Sequence, residues 1–558
     1  MFMLHVGRSA ETSPTPIERP LPKLDFHTMP LDTDNKATVE EHSHESEYDE
    51  AKQAAEEEHQ LTLRQAIRQY PKAILWSVLL STSIIMEGYD IVLMNSFFAQ
   101  PTFSRKYGSF DPRTSKYQIS ASWQNGLSNA VSVGTIVGAF ANGYFCHKFG
   151  YRAVLLVSLA IICAFIFIPF FAPNLPVLLA GQFFCGIPWG VFATMAPAYA
   201  SEVCPMALRG YLSVYVNLCW ALGQLISAGV QSGFSDGSSA WSYRIPFALQ
   251  WVWPLPLFAI LFFAPESPWH YVRKGNHDMA EKMVKRLASP SQQHLAKQKV
   301  SMMAHTNELE RALEANTSYL QCFKGIDLRR TEIACMAFAA QPFCGSVMAG
   351  TPTYFFVQAG LPTSVSFRMS VGGLGIASVG TIASWYLMSL FGRRTLYLWG
   401  LSTLSAILGT VGIISASAGD TTAGNYGQAS LMIVWLFVYY LTVGPICYAI
   451  ITEVSSTRLR SKSVCLSRIV YYIAQIVTNV VNPYMLNPTS GDWKGKTGFF
   501  WGGCAFVFWV WTFFRLPETK GRTFEELDLL FANRVRTREF GKYEVDAYAP
   551  SESLKVTA

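Results

Sequence analysis

Twelve stretches of mainly apolar residues run through this chain, each about 20 residues long, enough for a helix rising about 1.5 Å per residue to cross about 30 Å of hydrocarbon. They lie near residues 73–99, 122–145, 153–172, 176–199, 210–233, 246–264, 333–357, 367–390, 396–416, 429–452, 464–486 and 498–515. The fold expected is an all-α membrane protein of twelve transmembrane helices. Composition agrees, since 50% of the residues are hydrophobic and only 15% are charged, against about 25% charged in a soluble domain. The net charge of +6 is scattered among connecting loops, and without a basic patch interleaved with aromatics it argues against nucleic acid as a partner. Most of the eleven cysteines, among them Cys163, Cys185, Cys219, Cys335, Cys447 and Cys504, sit inside apolar runs without a CxxC spacing. They read as small hydrophobes, with no disulfide framework and no metal site.

Residues 1–70 precede the first run, and the stretch to about Gln60 is rich in Pro, Thr, Glu and His. It is expected to be a disordered tail, with His42 and His44 solvated and not holding a metal. No apolar segment before residue 73 suggests a cleaved signal peptide. The loop between helices 6 and 7 carries eleven Lys and Arg from Arg273 to Arg330, and the same side receives Lys148, Arg152, Arg209, Arg393, Arg394, Arg458, Arg460, Lys462, Lys520 and Arg522. By the positive-inside rule that side is cytosolic and both termini with it, although Arg105, Lys106, Arg113 and Lys116 lie opposite.

The chain also repeats itself. Glu202 is followed seven residues on by Arg209, and Glu453 likewise by Arg460; Pro265-Glu266-Ser267 is answered by Pro517-Glu518-Thr519, and Gly150-Tyr151-Arg152 by Gly392-Arg393-Arg394. Two six-helix halves, 71–265 and 332–517, are therefore expected, joined by a cytosolic linker at 266–331 and followed by a tail at 518–558. Parallel halves related by an axis along the membrane normal are a standard transporter architecture, with the solute site near the midplane. Charges at the helix ends, Glu202, Arg209, Arg152, Arg393, Arg394, Glu453 and Arg460, are placed to pair across the halves and to gate access. Exposed pairs of this kind are weak enough to break when a solute favours another state.

From residue 70 to 531 the sequence resembles the sugar porter family of the major facilitator superfamily. The resemblance rests on Gly88-Tyr89-Asp90, PAYASEVCPMALRG at 197–210, PESP at 265–268, GRR at 392–394, TEVSSTRLRSK at 452–462 and PETKGRTFEEL at 517–527. MEGYD at 86–90, GQFFCGIPWGVF at 181–192, YRIPFALQWVWP at 243–254 and GPICYAI at 444–450 make it most similar to fungal alpha-glucoside (maltose) permeases. The resemblance implies a proton-coupling role for Asp90. An acid inside an apolar span is costly unless it has a function or a partner, and Glu87, three residues earlier, shares nearly the same face. The Arg that family symporters carry in helix 4 is Gln182 here, and His147 stands where the helix 2–3 motif usually has Asp, which puts that motif's usual helix capping in question.

Sugar hydroxyls both donate and accept, so amides suit them. Gln224, Gln341 and Gln475 are candidate sugar contacts, with Gln182 near the acid pair and with Trp189, Tyr354 and Tyr448 as stacking surfaces. Gln224 and Gln341 match family substrate positions. Pro342, Val347 and Ala377 depart from the hexose pattern, which fits a disaccharide. The expected activity is import of an alpha-glucoside disaccharide of the maltose, sucrose or trehalose type with a proton, by a monomer in lipid at the plasma membrane, without cofactor or enzymatic chemistry. An uncoupled sugar facilitator or another glycoside or hexose transporter is the alternative, and a non-transporting sugar sensor a remoter one.

Overall fold

The computed structural model describes residues 61–543, apart from 113–115, 236, 315–318, 351, 419–420, 457–458, 523 and 542. The expected N-terminal tail, with His42 and His44, lies outside the described residues.

Among the described residues twelve helices of spanning length follow in order. Helices 1 to 6 are Pro71–Phe97, Ala121–Phe149, Tyr151–Phe171, Leu175–Val203, Met206–Gly233 and Trp241–Leu261; helices 7 to 12 are Gly325–Ala349, Thr363–Leu390, Arg393–Ala418, Thr422–Val454, Lys462–Leu486 and Lys494–Arg515. Ten are also apolar enough to cross a membrane by composition. The other two, helices 2 and 5, carry more polar residues, among them Gln124, Asn125, Asn142, Gln224 and Gln231, all five of which the fold buries. A short antiparallel hairpin, Ser109–Asp111 with Lys116–Gln118, follows helix 1 on one face of the bundle. On the opposite face lies the linker, with helices Pro268–Arg273, His277–Leu287 and Ala296–Glu314.

Several helices are interrupted, and the sequence gives the reason. In helix 7 the segment Pro342–Ser346 breaks the α pattern, with Gly345 at φ 96°; that left-handed backbone suits glycine, and a Cβ there would meet Leu408 at 2.8 Å. Helix 7 resumes as Pro352–Gln358. Helix 10 breaks at Thr442, three residues before Pro445, which cannot donate to the preceding turn. Helix 6 narrows to a 3-10 turn over Leu249–Val252, ahead of Pro254.

At the linker face each half builds the same device. Both oxygens of Glu266 accept hydrogen bonds from the first turn of helix 3, from the Tyr151 N–H at 2.8 Å and the Arg152 N–H at 3.0 Å. Glu518 accepts from the Arg393 N–H at 2.7 Å at the start of helix 9. A carboxylate here satisfies free donors and complements the helix dipole. Burial nevertheless pushes the Glu266 carboxyl above its usual range, against the pull of its N–H donors. The capping in question at His147 is thus supplied from the end of helix 6. A Cβ at Gly150 would lie 2.5 Å, and one at Gly392 2.0 Å, from the capping carboxylate, which accounts for glycine in both motifs.

The hairpin face is sealed between the halves. The Ile119 carbonyl, just after the hairpin, accepts from the Gln124 amide of helix 2 and from the Asn487 amide at the end of helix 11, both at 2.9 Å. Gln124 also donates to the Tyr354 hydroxyl at 3.2 Å, and Phe98 packs edge-on against Tyr354. Asn487 Oδ1 meanwhile accepts from the Thr489 N–H and hydroxyl, so its Nδ2 is committed to Ile119. Asn487→Asp keeps that turn but sets a carboxylate oxygen against the Ile119 carbonyl. In this variant a cysteine replacing Ser128, inside the bundle, is expected to react about tenfold faster with an impermeant thiol reagent applied from the hairpin face. Unchanged labelling would show that this carbonyl does not hold the seal.

Candidate functional site

Between the halves lies a cavity of about 1060 Å³ that runs from Gln124, Tyr354 and Asn482 at the sealed end to Arg393, Glu453 and Thr452 at the linker face. Helix 1 brings Glu87 and Asp90 to its wall, and both are buried, at 8% and 2% exposure. Asp90 Oδ1 accepts a 2.6 Å hydrogen bond from the Gln250 amide of helix 6, while Oδ2 has no partner of hydrogen-bond geometry among the described residues.

Opposite the acids stands Arg468 of helix 11, which the sequence reading passed over. Its guanidinium is ringed by Phe338, Tyr448, Tyr471 and Tyr472, with ring centres 5.2 to 5.9 Å away, and it donates to the Tyr448 hydroxyl at 3.2 Å. Arginine tolerates such a place because its flat cation stacks on aromatic faces. Its charge acts on Glu87 across the cavity. The balancing cation thus comes from helix 11 of the other half, and helix 4 carries Gln182 instead.

Of the expected sugar contacts, Gln224, Tyr354, Tyr448 and Gln475 line the cavity. Gln224 Oε1 accepts from the Tyr440 hydroxyl at 2.7 Å, a bond between the halves, and Gln475 donates to Asn479 at 3.3 Å. Gln341, Trp189 and Gln182 are outside the lining. Gln341 donates to the Gly444 carbonyl at 2.9 Å and so ties helix 7 to the broken helix 10. Trp189 is buried beside Asp90, its indole N–H approaching without hydrogen-bond alignment. Gln182 is fully buried, and neither polar atom of its side chain has a partner among the described residues.

Pairing across the halves was expected of these charges; among the described residues Glu202 pairs instead with the linker and Glu453 within the second half. Glu202 accepts from Arg273 at 2.6 Å, Ser267 at 2.5 Å and Tyr151 at 3.0 Å. Glu453 accepts from Arg393 at 3.1 Å and Thr519 at 2.5 Å. Arg152 and Arg394 donate to the Phe262 and Phe513 carbonyls. The side chains of Arg209 and Arg460 lie outside the described residues. With the cavity open at this face the two halves stand apart there, so each acid is satisfied by its own half.

Residues 76–531 match the family described as Sugar (and other) transporter. The chain belongs to this family. It is 39% identical over 510 residues to a maltose permease, MAL31, of Saccharomyces cerevisiae, covering 90% of this chain and 83% of that one. It is 37% identical over 531 residues to a general alpha-glucoside permease of the same yeast, covering 94% and 85%. Its fold is similar to the xylose transporter XylE from E. coli in a partially occluded inward-open conformation, with a TM-score of 0.65, 18% identity, and 81% of this chain and 100% of that one covered. It is a multi-pass membrane transporter of the major facilitator fold, and sugar transport is its function.

If Arg468 balances Glu87, removing the cation alone leaves an uncompensated buried charge. Arg468→Gln is therefore expected to lower the thermal stability of the purified transporter, and Glu87→Gln in the same chain to restore most of it, with a coupling of about 1–3 kcal/mol. Additive losses would mean that the two side chains act independently.

Proposed function

We propose that the protein is a proton-coupled symporter that imports an alpha-glucoside disaccharide across a plasma membrane as a monomer, with its linker face and both termini in the cytosol. The observation that carries the reading is the pair of carboxylates, Glu87 and Asp90, in the wall of a cavity broad enough for a disaccharide, with Arg468 on the far side. An ionisable group at this depth is expensive to keep without a role. The amides of Gln224 and Gln475 answer sugar hydroxyls, and the rings of Tyr354 and Tyr448 offer faces to a pyranose. The yeast relatives named as maltose and alpha-glucoside permeases support the choice of substrate class.

In this cycle sugar and proton enter while the hairpin face is open. Neutralising the acid removes the cost of moving a bare charge, the halves rock, and both solutes leave toward the linker. The charged clusters at Glu202 and Glu453 gate that face, exchanging partners as the halves approach.

Asp90→Asn keeps the shape but carries no exchangeable proton in the working range. It is expected to abolish uphill uptake and sugar-induced alkalinisation of the medium while retaining counterflow exchange in proteoliposomes. Full accumulation by this variant would favour an uncoupled facilitator. Gln224→Ala is expected to raise the half-saturation for the sugar by roughly five- to over a hundredfold, as for about 1–3 kcal/mol lost when a desolvated hydroxyl goes unpaired. An unaltered value for maltose, sucrose and trehalose alike would return Gln224 to helix packing.

A further inference from the structure

Helix 6 grips helix 1 at three points. The Trp253 indole donates to the Thr82 carbonyl at 3.2 Å, the Tyr89 hydroxyl donates to the Pro246 carbonyl at 2.9 Å, and the Gln250 amide donates to Asp90 Oδ1 at 2.6 Å. Gln250 and Trp253 are three residues apart at the 3-10 turn Leu249–Val252, where side chains at that spacing lie above one another. Three residues apart, both side chains share one face of helix 6 and meet helix 1 there, as they would on an unbroken α-helix too.

Behind the contact is a second, small pocket of about 120 Å³, lined by Ile85, Met86, Tyr89, Ile226, Val230, Leu249, Gln250, Val252 and Trp253. Its walls are almost wholly apolar, and Val252 is more than half exposed on the outer surface of the bundle. Gln250 stands between that apolar space and Asp90. Its amide supplies the donor that the carboxylate would otherwise lack on this side.

We propose that Gln250 is a positioning residue for proton coupling: it anchors Asp90 Oδ1 and leaves Oδ2, buried and without a hydrogen-bond partner in this conformation, as the oxygen that carries the proton. This rests on the symport reading above. Gln250 touches neither sugar nor the moving proton and acts through Asp90. Other titratable groups around Asp90 are Glu87 and Tyr89 on its own helix, Cys185 on helix 4, Cys219 on helix 5 beside the Trp220 that packs on Gly88, and Arg468, which acts on Glu87 from helix 11. None is altered by a change at Gln250.

The test is Gln250→Met, which keeps the volume and removes the donor, made in the parent and in Asp90→Asn. In the parent the sugar accumulation ratio is expected to fall about tenfold, with counterflow exchange retained. The external-pH profile of uphill uptake moves toward alkaline pH, because a donor favouring the ionised carboxylate has gone. In Asp90→Asn the second change adds nothing to the loss of coupling. If Gln250→Met does not fold, Gln250→Asn, whose amide falls one methylene short, carries the same expectations. Lower counterflow in both backgrounds with an unmoved pH profile would make Gln250 a packing residue and overturn the proposal. So would accumulation and a pH profile equal to the parent's while Asp90→Asn is uncoupled, an outcome that leaves the symport reading standing. Full accumulation by Asp90→Asn itself would remove both.

Discussion

A carboxylate at mid-membrane must be repaid for the water it has lost, and Glu87 and Asp90 are repaid from different directions. Asp90 has a charge-assisted hydrogen bond from helix 6, of the kind worth about 1.5–3 kcal/mol. Glu87 has the attraction of Arg468 across the cavity. The second arrangement matters more for the architecture, because the two charges belong to different halves and the space between them must stay open to water and solute. The helix 7 break, the helix 10 break and the aromatic ring around Arg468 all lie along that space, and each keeps a polar group there without closing it.

The two ends of the cavity are held by different physics. At the linker face, carboxylates satisfy N–H groups and guanidinia of their own half, so each half is complete when the two are apart. At the hairpin face the hydrogen bonds run between halves, through Ile119, Gln124, Tyr354 and Asn487, and they involve no charged side chain. Neutral hydrogen bonds contribute on the order of 1 kcal/mol each, strong enough together to hold a seal and weak enough to be broken in every cycle. A charged latch buried at that end would cost more to expose and re-bury.

The fold was legible because lipid imposes length and hydropathy on every span, and because the repeated GR, Glu–Arg and PE(S/T) motifs mark equivalent corners of two halves. The acids were legible for the same reason: Glu87 and Asp90 interrupt an apolar run. Arg468 follows the same rule but stands only six residues after Lys462, in a stretch bearing Ser463, Cys465 and Ser467, where it reads as one more flanking charge of the basic face. Its four aromatic neighbours would have been the signal, since Tyr471 and Tyr472 lie within one turn and Tyr448 sits in the GPICYAI motif. Gln341 shows the opposite difficulty. An amide at a spanning position answers a backbone carbonyl as well as a sugar hydroxyl, and the break in helix 10 that brings the Gly444 carbonyl alongside has no signature at Gln341 itself. The partner of Glu202 was not legible, because Arg273 arrives from the linker, at a distance along the chain that no local pattern encodes.

Gln224 and Tyr440 carry the argument furthest toward specificity. The Tyr440 hydroxyl engages one lone pair of the Gln224 carbonyl oxygen and Asn479 engages one N–H of Gln475, so each amide keeps both donor and acceptor capacity toward the cavity. A sugar hydroxyl can answer either, but an acetal or ring oxygen can only accept. Because the bond from Tyr440 joins the halves, the orientation of Gln224 in the cavity wall depends on how closely helix 10 approaches helix 5.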